Sequence, residues 1–300
     1  MKSKLQRVVL AVTLFAGIAA AQKKTILVVT TDASDYVLCA GGTLASMIEK
    51  GATAQLLRVT NDEKDSWKLS PEETARRVRD ETEAAARILG IAKVHHLGYR
   101  AGELAAVSPT ELRDRILFYV RLVKPDVMFI PNPYAEYVEV LDRYYAGSAA
   151  EEARRAASLA NHQPPFAKVG LDPHLTPELY YYAAPMDPRR REAESTATFV
   201  PQPKVLDISS TFAKKLRAAQ ALKTINLSLA MRIKQRLDDT GRRLPLLETI
   251  NDESVGKLVE INMRKLAQIA AEKTNFSQAE EFHYAGPDFQ IPEKYRKAGK

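Results

Sequence analysis

Cysteine is almost absent from this 300-residue chain, and so are long apolar runs. A single cysteine, Cys39, excludes a disulfide framework and any Cys-rich zinc or iron–sulfur site. The one long apolar run lies at the N-terminus, which excludes a polytopic membrane protein. With 45% hydrophobic and 27% charged side chains, the composition is otherwise typical of a folded globule.

Several ligand-binding motifs are also missing. The sequence contains no G-x-G-x-x-G fingerprint, no P-loop and no nucleophile elbow, which disfavours dinucleotide oxidoreductases, P-loop NTPases and α/β-hydrolases. No two histidines have the i, i+4 spacing of a helical zinc site, so each is expected to be structural or solvated. A metal site that uses one of them remains an alternative. The five are His95, His96, His162, His174 and His283.

Residues 1–21 have the layout of a secretory signal peptide. Three basic residues precede the apolar run Val8–Ala21, which is shorter than a membrane span and ends in an alanine triplet. We expect cleavage after Ala21, export to the periplasm or the extracellular space, and no transmembrane segment in the mature chain. An uncleaved N-terminal anchor is the alternative.

The charge balance argues against nucleic acid as a partner. The full chain has 44 basic and 37 acidic residues, a net charge of +7. Cleavage of the signal peptide removes three basic residues and lowers the net charge to about +4. The largest basic block is only Arg189-Arg190-Arg191. A mild excess without a basic stripe, in an exported protein, predicts no nucleic-acid binding.

Strand and helix patterns alternate along the first half of the chain. Non-alternating apolar residues predict a buried first strand at Lys24–Thr31, and Ser70 with Glu73 opens a helix that Gly90 ends. The expected fold is α/β, a mainly parallel Rossmann-like sheet flanked by helices, with extra C-terminal helices. Further strands are predicted at Ala54–Thr60, Val94–Leu97, Asp126–Ile130 and Tyr180–Tyr182, and helices at Thr43–Lys50, from Ser108 to before Pro125, Ser210–Leu237 and Glu253–Lys273.

The same patterns predict one domain over residues 22–285. A Pro-rich excursion at 161–204 surrounds the Tyr180–Tyr182 strand, and residues 286–300 form a tail. In open α/β sheets, ligands bind at the carboxyl ends of the strands. The turn after the first strand, residues 30–44, is therefore the place to look for chemistry.

That turn resembles the PIG-L/LmbE-like deacetylases, a family that removes acetyl groups from N-acetylglucosamine derivatives. Family members carry a strand, Pro-His-Pro-Asp-Asp-Glu, an apolar pair and Ala-Gly-Gly-Thr, and Ala40-Gly41-Gly42-Thr43 fits this register without a gap. Leu97-Gly98-Tyr99-Arg100 and Lys124-Pro125-Asp126-Val127 resemble later family segments. The resemblance covers about residues 25–160, and more weakly 204–223.

The resemblance implies a zinc site whose residues are largely substituted here. Asp32 stands at the position of a zinc-binding His and Arg143 at that of another, whereas Asp35 keeps the ligand Asp. Ser34 stands at the general-base position and Tyr36 at that of the motif's Glu. Asp142 keeps an Asp of the later segment, and Arg100 precedes Ala101, where family members usually have an Asp. The resemblance implies that Tyr36, Asp142 and Arg100 lie in the pocket or directly behind its ligands.

These substitutions remove the chemistry that the family uses. Arg143 is always protonated and cannot coordinate a cation, and the Ser34 hydroxyl is not a base without a partner. A guanidinium is, however, suited to bridging two carboxylates that would otherwise repel each other. We therefore predict that Arg143 sits in the place of zinc and pairs with Asp32 and Asp35, with no metal cofactor bound.

Three functions follow from these residues. The first is a non-catalytic member of the deacetylase family that binds a glycan, an amino sugar or another small molecule. The second is an active metal-dependent amide hydrolase with a rearranged, zinc-containing site, and the third is a structural or interaction protein. Four tyrosines near the later segment suit a sugar-stacking cleft or ordinary packing. They are Tyr134, Tyr137, Tyr144 and Tyr145. The oligomeric state stays open.

Overall fold

The computed structural model describes residues 23–136, 141–183 and 202–286. The predicted signal peptide at 1–21, residues 184–201 of the predicted excursion and nearly all of the predicted tail lie outside these ranges. Within them, no helix is long and apolar enough to cross a membrane.

Seven strands form one sheet in the order β3-β2-β1-β4-β5-β7-β6. Strands β1 to β5 pair in parallel, whereas β7 pairs antiparallel with both β5 and β6. The prediction of a mainly parallel α/β sheet is confirmed. The strands are β1 (Thr25–Thr30), β2 (Thr53–Thr60), β3 (Lys93–Tyr99), β4 (Val127–Pro131), β5 (Glu178–Tyr182), β6 (Gln202–Asp207) and β7 (Ala279–Ala285).

Helices cover both faces of this sheet. They are α1 (Asp35–Glu49), α2 (Pro71–Leu89), α3 (Pro109–Val123), α4 (Pro133–Glu136), α5 (Leu141–Ala157), α6 (Pro164–Ala167), α7 (Phe212–Gln220), α8 (Lys223–Asp239) and α9 (Asp252–Ala271), with short 3₁₀ turns at Leu104–Ala106 and Pro245–Leu247. The helices α1, α2, α7 and α9 pack on one face, and α3 and α5 pack on the other.

Strand β1 lies at the centre of the sheet, between β2 and β4. Ile26 and Val28 join the core under α1, whereas Leu27 and Val29 join the core under α3 and α5. The predicted strand that is covered on both faces is therefore confirmed. Because the chain runs from β1 outward to β3 and then returns to β4, the strand order reverses between β1 and β4, where α/β sheets bind ligands.

The predicted start of the first helix is wrong by two turns. Helix α1 begins at Asp35, not Thr43, so the glycine pair lies inside it. The helix starts early because the Asp32 carboxylate accepts the backbone N–H groups of Ser34 and Asp35, in the manner of a helix cap. The glycines serve packing instead, since a Cβ at Gly42 would lie 2.7 Å from the Ile208 Cβ.

The C-terminal helical prediction also needs correction. The single stretch predicted at Ser210–Leu237 is two helices, because the Glu81 carboxylate accepts the backbone N–H and the hydroxyl of Thr224 and starts α8 there. No strand was predicted after α9, but β7 enters the sheet between β5 and β6. Its alternating burial identifies a strand with one face on the core.

Candidate functional site

A cluster of charged side chains lies where the strand order reverses. Asp32 and Asp35 follow β1, Asp62 follows β2, and Arg143 comes from the first turn of α5. Parallel strands place their carboxyl ends at one edge of the sheet, so three segments far apart in sequence meet here.

The two oxygens of Asp32 have different partners. Its Oδ1 accepts the Ser34 hydroxyl at 2.8 Å and the backbone N–H groups of Ser34 and Asp35 at 2.8 and 2.9 Å. Its Oδ2 accepts Nε and Nη2 of Arg143 at 3.2 and 3.1 Å. Asp32 thus shapes the start of α1 with one oxygen and binds the guanidinium with the other.

Asp35 is buried and held by its own strand and helix. Its Oδ1 accepts the Thr30 hydroxyl and, at 2.6 Å, the Tyr36 backbone N–H, while Oδ2 accepts the Thr31 N–H at 3.3 Å. The Nε of Arg143 lies 3.9 Å from Asp35 Oδ2. Both carboxylate oxygens therefore have protein donors, with the guanidinium at the limit of ion pairing.

The structure brings Asp32, Asp35 and Arg143 together in the arrangement that the substitutions predict. The Arg143 side chain is only 15% exposed, and that of Asp32 17%. One cation thus faces two carboxylates, at 3.1 Å from Asp32 and 3.9 Å from Asp35. Such a permanently charged, planar group offsets part of the repulsion between them.

Asp62 is a member of the cluster that the sequence analysis missed. It is fully buried, it accepts the Ala33 backbone N–H at 2.8 Å and the Thr60 hydroxyl at 2.8 Å, and its φ is 56°. The buried Arg58 guanidinium lies 4.0 Å from it and donates to Thr82 of α2. Asp62 therefore ties the turn around Asp32 to β2 and α2.

The carboxyl groups of the cluster have pKa values that are shifted in opposite directions. For Asp32, burial acts against ionisation, but Arg143 and the hydrogen bonds from Ser34 and Asp35 outweigh it and lower the pKa. For Asp35, burial and the charge of Asp32 raise the pKa well above its ordinary value. Burial, opposed by Arg58, raises the pKa of Asp62 to about 7, and burial next to Asp32 raises that of Asp65 to about 6.

The donor set does not fit a zinc ion. Zinc sites use about three protein ligands with free lone pairs and an open water position. Here each oxygen of Asp32 and Asp35 already accepts hydrogen bonds, and a guanidinium occupies the third ligand position. Throughout the described residues, no three His, Cys, Asp or Glu side chains are arranged to hold a metal ion.

The other predicted site residues lie in different surroundings, and not all of them are in the cluster. Ser34 lies in the cluster, but its hydroxyl donates to Asp32. The fully buried Tyr36 packs in the core under α1 and not in the pocket, and burial next to Asp35 raises its pKa. Asp142 accepts the N–H groups of Gly102 and Leu104, so it anchors the loop after β3. The resemblance implied a place in the pocket or directly behind it for both residues, and both are buried.

Arg100 is also not a pocket residue. Its side chain is 63% exposed, and its ion pairs are with Glu63 at 2.7 Å and Glu103 at 3.5 Å. These contacts keep it on the loop after β3, and no contact with Asp32 or Asp35 is among those that the structure describes. The position is a surface charge at the rim of the site.

Three of the histidines contact residues away from the cluster, and His283 lies 3.3 Å from the side chain of Asn132. His95 bonds Gln55, His96 lies 3.5 Å from Glu83, and His174 reaches the Pro125 carbonyl. Of the four tyrosines, Tyr137 lies outside the described ranges, Tyr134 is 62% exposed, Tyr144 is 38% exposed next to Arg143, and Tyr145 packs partly against the core. Two tyrosine rings are thus accessible, Tyr134 on α4 and Tyr144 one residue after Arg143 on α5.

Comparison with known proteins agrees with the sequence resemblance. The PIG-L family, described as GlcNAc-PI de-N-acetylase, matches residues 27–153. A diacetylchitobiose deacetylase from Thermococcus kodakarensis is 28% identical over 161 residues, which is 53% of this chain and 60% of that protein. The sequence match thus leaves two fifths of that relative uncovered.

Solved structures show the same fold. An N,N'-diacetylchitobiose deacetylase from Pyrococcus horikoshii superimposes with a TM-score of 0.68 at 22% identity, over 92% of this chain and 89% of that one. A 4-carboxy-2-hydroxymuconate hydratase from Pseudomonas putida superimposes with a TM-score of 0.60 at 19% identity, over 90% and 98%. Because a hydratase shares the fold, the fold alone does not determine the reaction.

The matched residues 27–153 contain β1, the Ala-Gly-Gly-Thr segment, and the first turn of α5 with Arg143. The same region carries the motifs that the sequence analysis identified. Residues 27–153 thus form a PIG-L domain, and the chain is similar in sequence and in fold to diacetylchitobiose deacetylases.

Proposed function

We propose that this chain is an exported, non-catalytic member of the deacetylase family that binds a glycan or an amino sugar at the Asp32/Asp35/Arg143 cluster. The observation that carries the proposal is the Arg143 guanidinium, 3.1 Å from Asp32 and 3.9 Å from Asp35, at the position that the resemblance assigns to a metal ligand. The guanidinium of Arg143, which is part of the chain, thus takes the place of an exchangeable metal ion.

The missing general base supports the same proposal. Amide hydrolysis needs a group that removes a proton from the attacking water. The residue at that position, Ser34, donates its hydroxyl proton to Asp32 and has no His or Lys as a partner among the contacts that the structure describes. Asp35, which is buried under Thr30 and Thr31, does not face the solvent.

The cluster keeps groups that suit a sugar. Asp32 and Arg143 retain 17% and 15% exposure, so that a hydroxyl can donate to the carboxylate while it accepts from the guanidinium. The exposed rings of Tyr134 and Tyr144 lie on α4 and beside Arg143 on α5. Aromatic faces next to polar groups suit the apolar faces of a pyranose ring.

The relatives point to the class of ligand. The names of the matched proteins refer to diacetylchitobiose and to GlcNAc-PI, both of which contain N-acetylglucosamine units. We therefore choose N-acetylglucosamine and diacetylchitobiose as test ligands. The proposal that the chain is exported is based on the signal-peptide layout of residues 1–21. It is tested by measuring whether the tagged full-length chain is secreted.

The decisive experiment has two parts, on residues 22–300 purified without chelator. Metal content and thermal unfolding with added zinc are measured first, and we expect no bound metal and no shift, where a ligand at 100 times its Kd would add about 2.7 kcal/mol. Calorimetric titration with the two sugars follows. We expect Arg143→Ala to abolish sugar binding and the rim variant Arg100→Ala to preserve it.

Two results contradict the proposal. Stoichiometric metal that is lost in Asp35→Ala, together with deacetylation of diacetylchitobiose, indicates an active hydrolase. Absence of both metal and sugar binding, with the fold intact, leaves only a structural or interaction role for this region.

A further inference from the structure

Strand β3 forms one edge of the sheet, since among the described strands it pairs only with β2. The N–H of Ala92, just before β3, donates to the Ala54 carbonyl of β2. Main-chain groups along a strand point alternately to its two sides, so those of Lys93 and His95 point away from β2. Neither residue has a main-chain hydrogen bond on that side among the contacts that the structure describes.

An apolar strip lies beside this edge, on the face of the sheet that α3 covers. The ring centroid of His95 lies 4.7 Å from that of Tyr119 on α3, and Phe118 packs edge-to-face against Tyr119 at 5.2 Å and against Phe166 of α6 at 5.8 Å. Leu122, one turn further along α3, is 47% exposed. A cavity of about 450 Å³ opens beside the three half-buried aromatic rings of α3 and α6. Unpaired main-chain groups next to such a strip suit an added strand and an apolar surface that follows it.

The two ends of β3 carry opposite charges. Lys93, at its start, is exposed and forms no ion pair that the structure describes. Glu111, beside its end, accepts the Tyr99 hydroxyl at 2.9 Å and Nε of Arg115 at 3.0 Å, both with Oε1, so Oε2 has no partner among the described contacts. Six residue steps of extended strand, about 20 Å, separate Lys93 from Tyr99, so Lys93 and Glu111 of one chain do not meet.

A second copy of the chain matches this edge when its β3 runs antiparallel to the first. With a two-fold axis at His95, each His95 donates to and accepts from the other, and Lys93 of each copy lies opposite Leu97 and next to Glu111 of its counterpart. This axis is perpendicular to the sheet, so the apolar strips of both copies lie on one face and meet there. A parallel strand of a second copy would instead bring like charges together at both ends of β3.

We propose that two copies of this chain associate through their β3 edges and form a dimer with one continuous sheet. Main-chain hydrogen bonds at His95 and the two apolar strips form the centre of this interface. The contact between Lys93 and Glu111 of opposite copies occurs twice, once at each end. The interface goes beyond the proposed function and does not depend on it, because β3 is separated from the strand that carries Asp32 by β2.

The first test measures the mass of the chain in solution. Sedimentation velocity of residues 22–300 over a range of concentrations gives the association state and the Kd of association. We expect a mass that rises with concentration from one chain to two. A mass of one chain at every concentration overturns the proposal, and so does an assembly that none of the variants described next weakens.

An exchange of charges tests the antiparallel arrangement. Lys93→Glu and Glu111→Lys are each expected to weaken association at least fivefold, because each dimer contains the contact twice. The double variant restores the Kd to within twofold of wild type, which two ions that act only within their own chain do not do. The matched control is Lys265→Glu, the same change at an exposed position of α9, which packs on β7 far from β3, and it retains the wild-type Kd. A double variant that associates no better than the single variants overturns the proposed pairing.

A second pair of variants addresses the main chain. His95→Pro removes an N–H that points away from β2, so we expect association to weaken at least tenfold while cooperative urea unfolding is retained. His95→Ala removes the same ring but keeps the N–H, and it weakens association at least threefold less. Equal effects of the two variants contradict pairing through the main chain and overturn the proposal. Arg143→Ala leaves association unchanged, so this interface and the proposed sugar site are judged separately.

Discussion

The start and the middle of helix α1 hold charges in opposite ways. At its start, two carboxylates share one guanidinium whose side chain is 15% exposed, at unequal distances of 3.1 and 3.9 Å. In its middle, the Gly42 and Thr43 N–H groups bond Glu280, which pairs with Lys215 at 2.7 Å, and both side chains are at most 2% exposed. The buried Glu280–Lys215 pair has one charge of each sign. The partly exposed cluster at the start of α1 instead has two carboxyl groups facing one guanidinium.

This contrast separates a structural from a functional use of charge. A buried ion is tolerated only when it is paired and its hydrogen bonds are satisfied, as around Glu280. An unbalanced cluster is tolerated where a carboxyl keeps its proton, as the raised pKa of Asp35 favours, or where water reaches the charges, as it does around Arg143. The start of α1 is therefore the part of the helix that is suited to binding.

The largest expected effect breaks the sealed pair. Glu280→Ala strands the buried Lys215 ammonium and removes the acceptor of two N–H groups, so we expect a loss of about 3–5 kcal/mol in the free energy of unfolding. Arg143→Ala, at the partly exposed cluster, is expected to cost about 1 kcal/mol. Urea denaturation measures both, and equal losses would show that the start and the middle of α1 do not differ in how they hold charge.

The second effect is a pH dependence of stability that arises from Asp62, in the cluster at the start of α1. The folded-state pKa of Asp62 is raised to about 7, above its unfolded value near 4, so the folded state binds the extra proton between these values. The contribution of Asp62 to stability is thus full below about pH 4 and is lost as the pH rises to about 7.

The variant Asp62→Asn lacks this titration. Relative to wild type, we expect its unfolding free energy to increase by about 2–4 kcal/mol between pH 4 and pH 7. Urea unfolding of both proteins at a series of pH values gives this difference. A difference that stays constant over the range would mean that Asp62 does not titrate there.

The smallest effect tests the packing in the middle of α1, at Gly42. In Gly42→Ala the new methyl group would lie 2.7–2.9 Å from three carbons of Ile208, and overpacking of about 1–3 kcal/mol exceeds the helix gain of about 1 kcal/mol. Gly256→Ala is the matched control, with room for its methyl group and an expected gain of up to about 1 kcal/mol. Thermal unfolding distinguishes the two, and a stabilised Gly42→Ala would refute the close contact.

Local signals in the sequence predicted much of the first half of the fold. Helix α2 has the predicted bounds because Ser70 caps it at the Glu73 N–H and Gly90 ends it at φ 92°. The start of α1 was missed because its cap is the Asp32 side chain, which the sequence analysis assigned to the site. The break before α8 was missed since Glu81, 143 residues away, causes it.

The candidate site was predictable only in part, for the same reason. The family register pointed to Asp32, Asp35 and Arg143, which lie together in the structure. Asp62 escaped notice although it follows the strand next to β1, a position that the rule for parallel sheets favours. Glu280 resembles a surface charge in the sequence, and only the sheet order shows that it is buried.

The position of β7 also has a consequence for the order of synthesis. This strand comes last among the strands described, yet it lies inside the sheet and carries the partner of Lys215. A ribosome that has made everything up to α9 has not yet supplied the strand that joins β6 to β5. Folding of this sheet is therefore completed only when almost the whole chain has left the ribosome, with the Lys215 ammonium exposed to solvent until then.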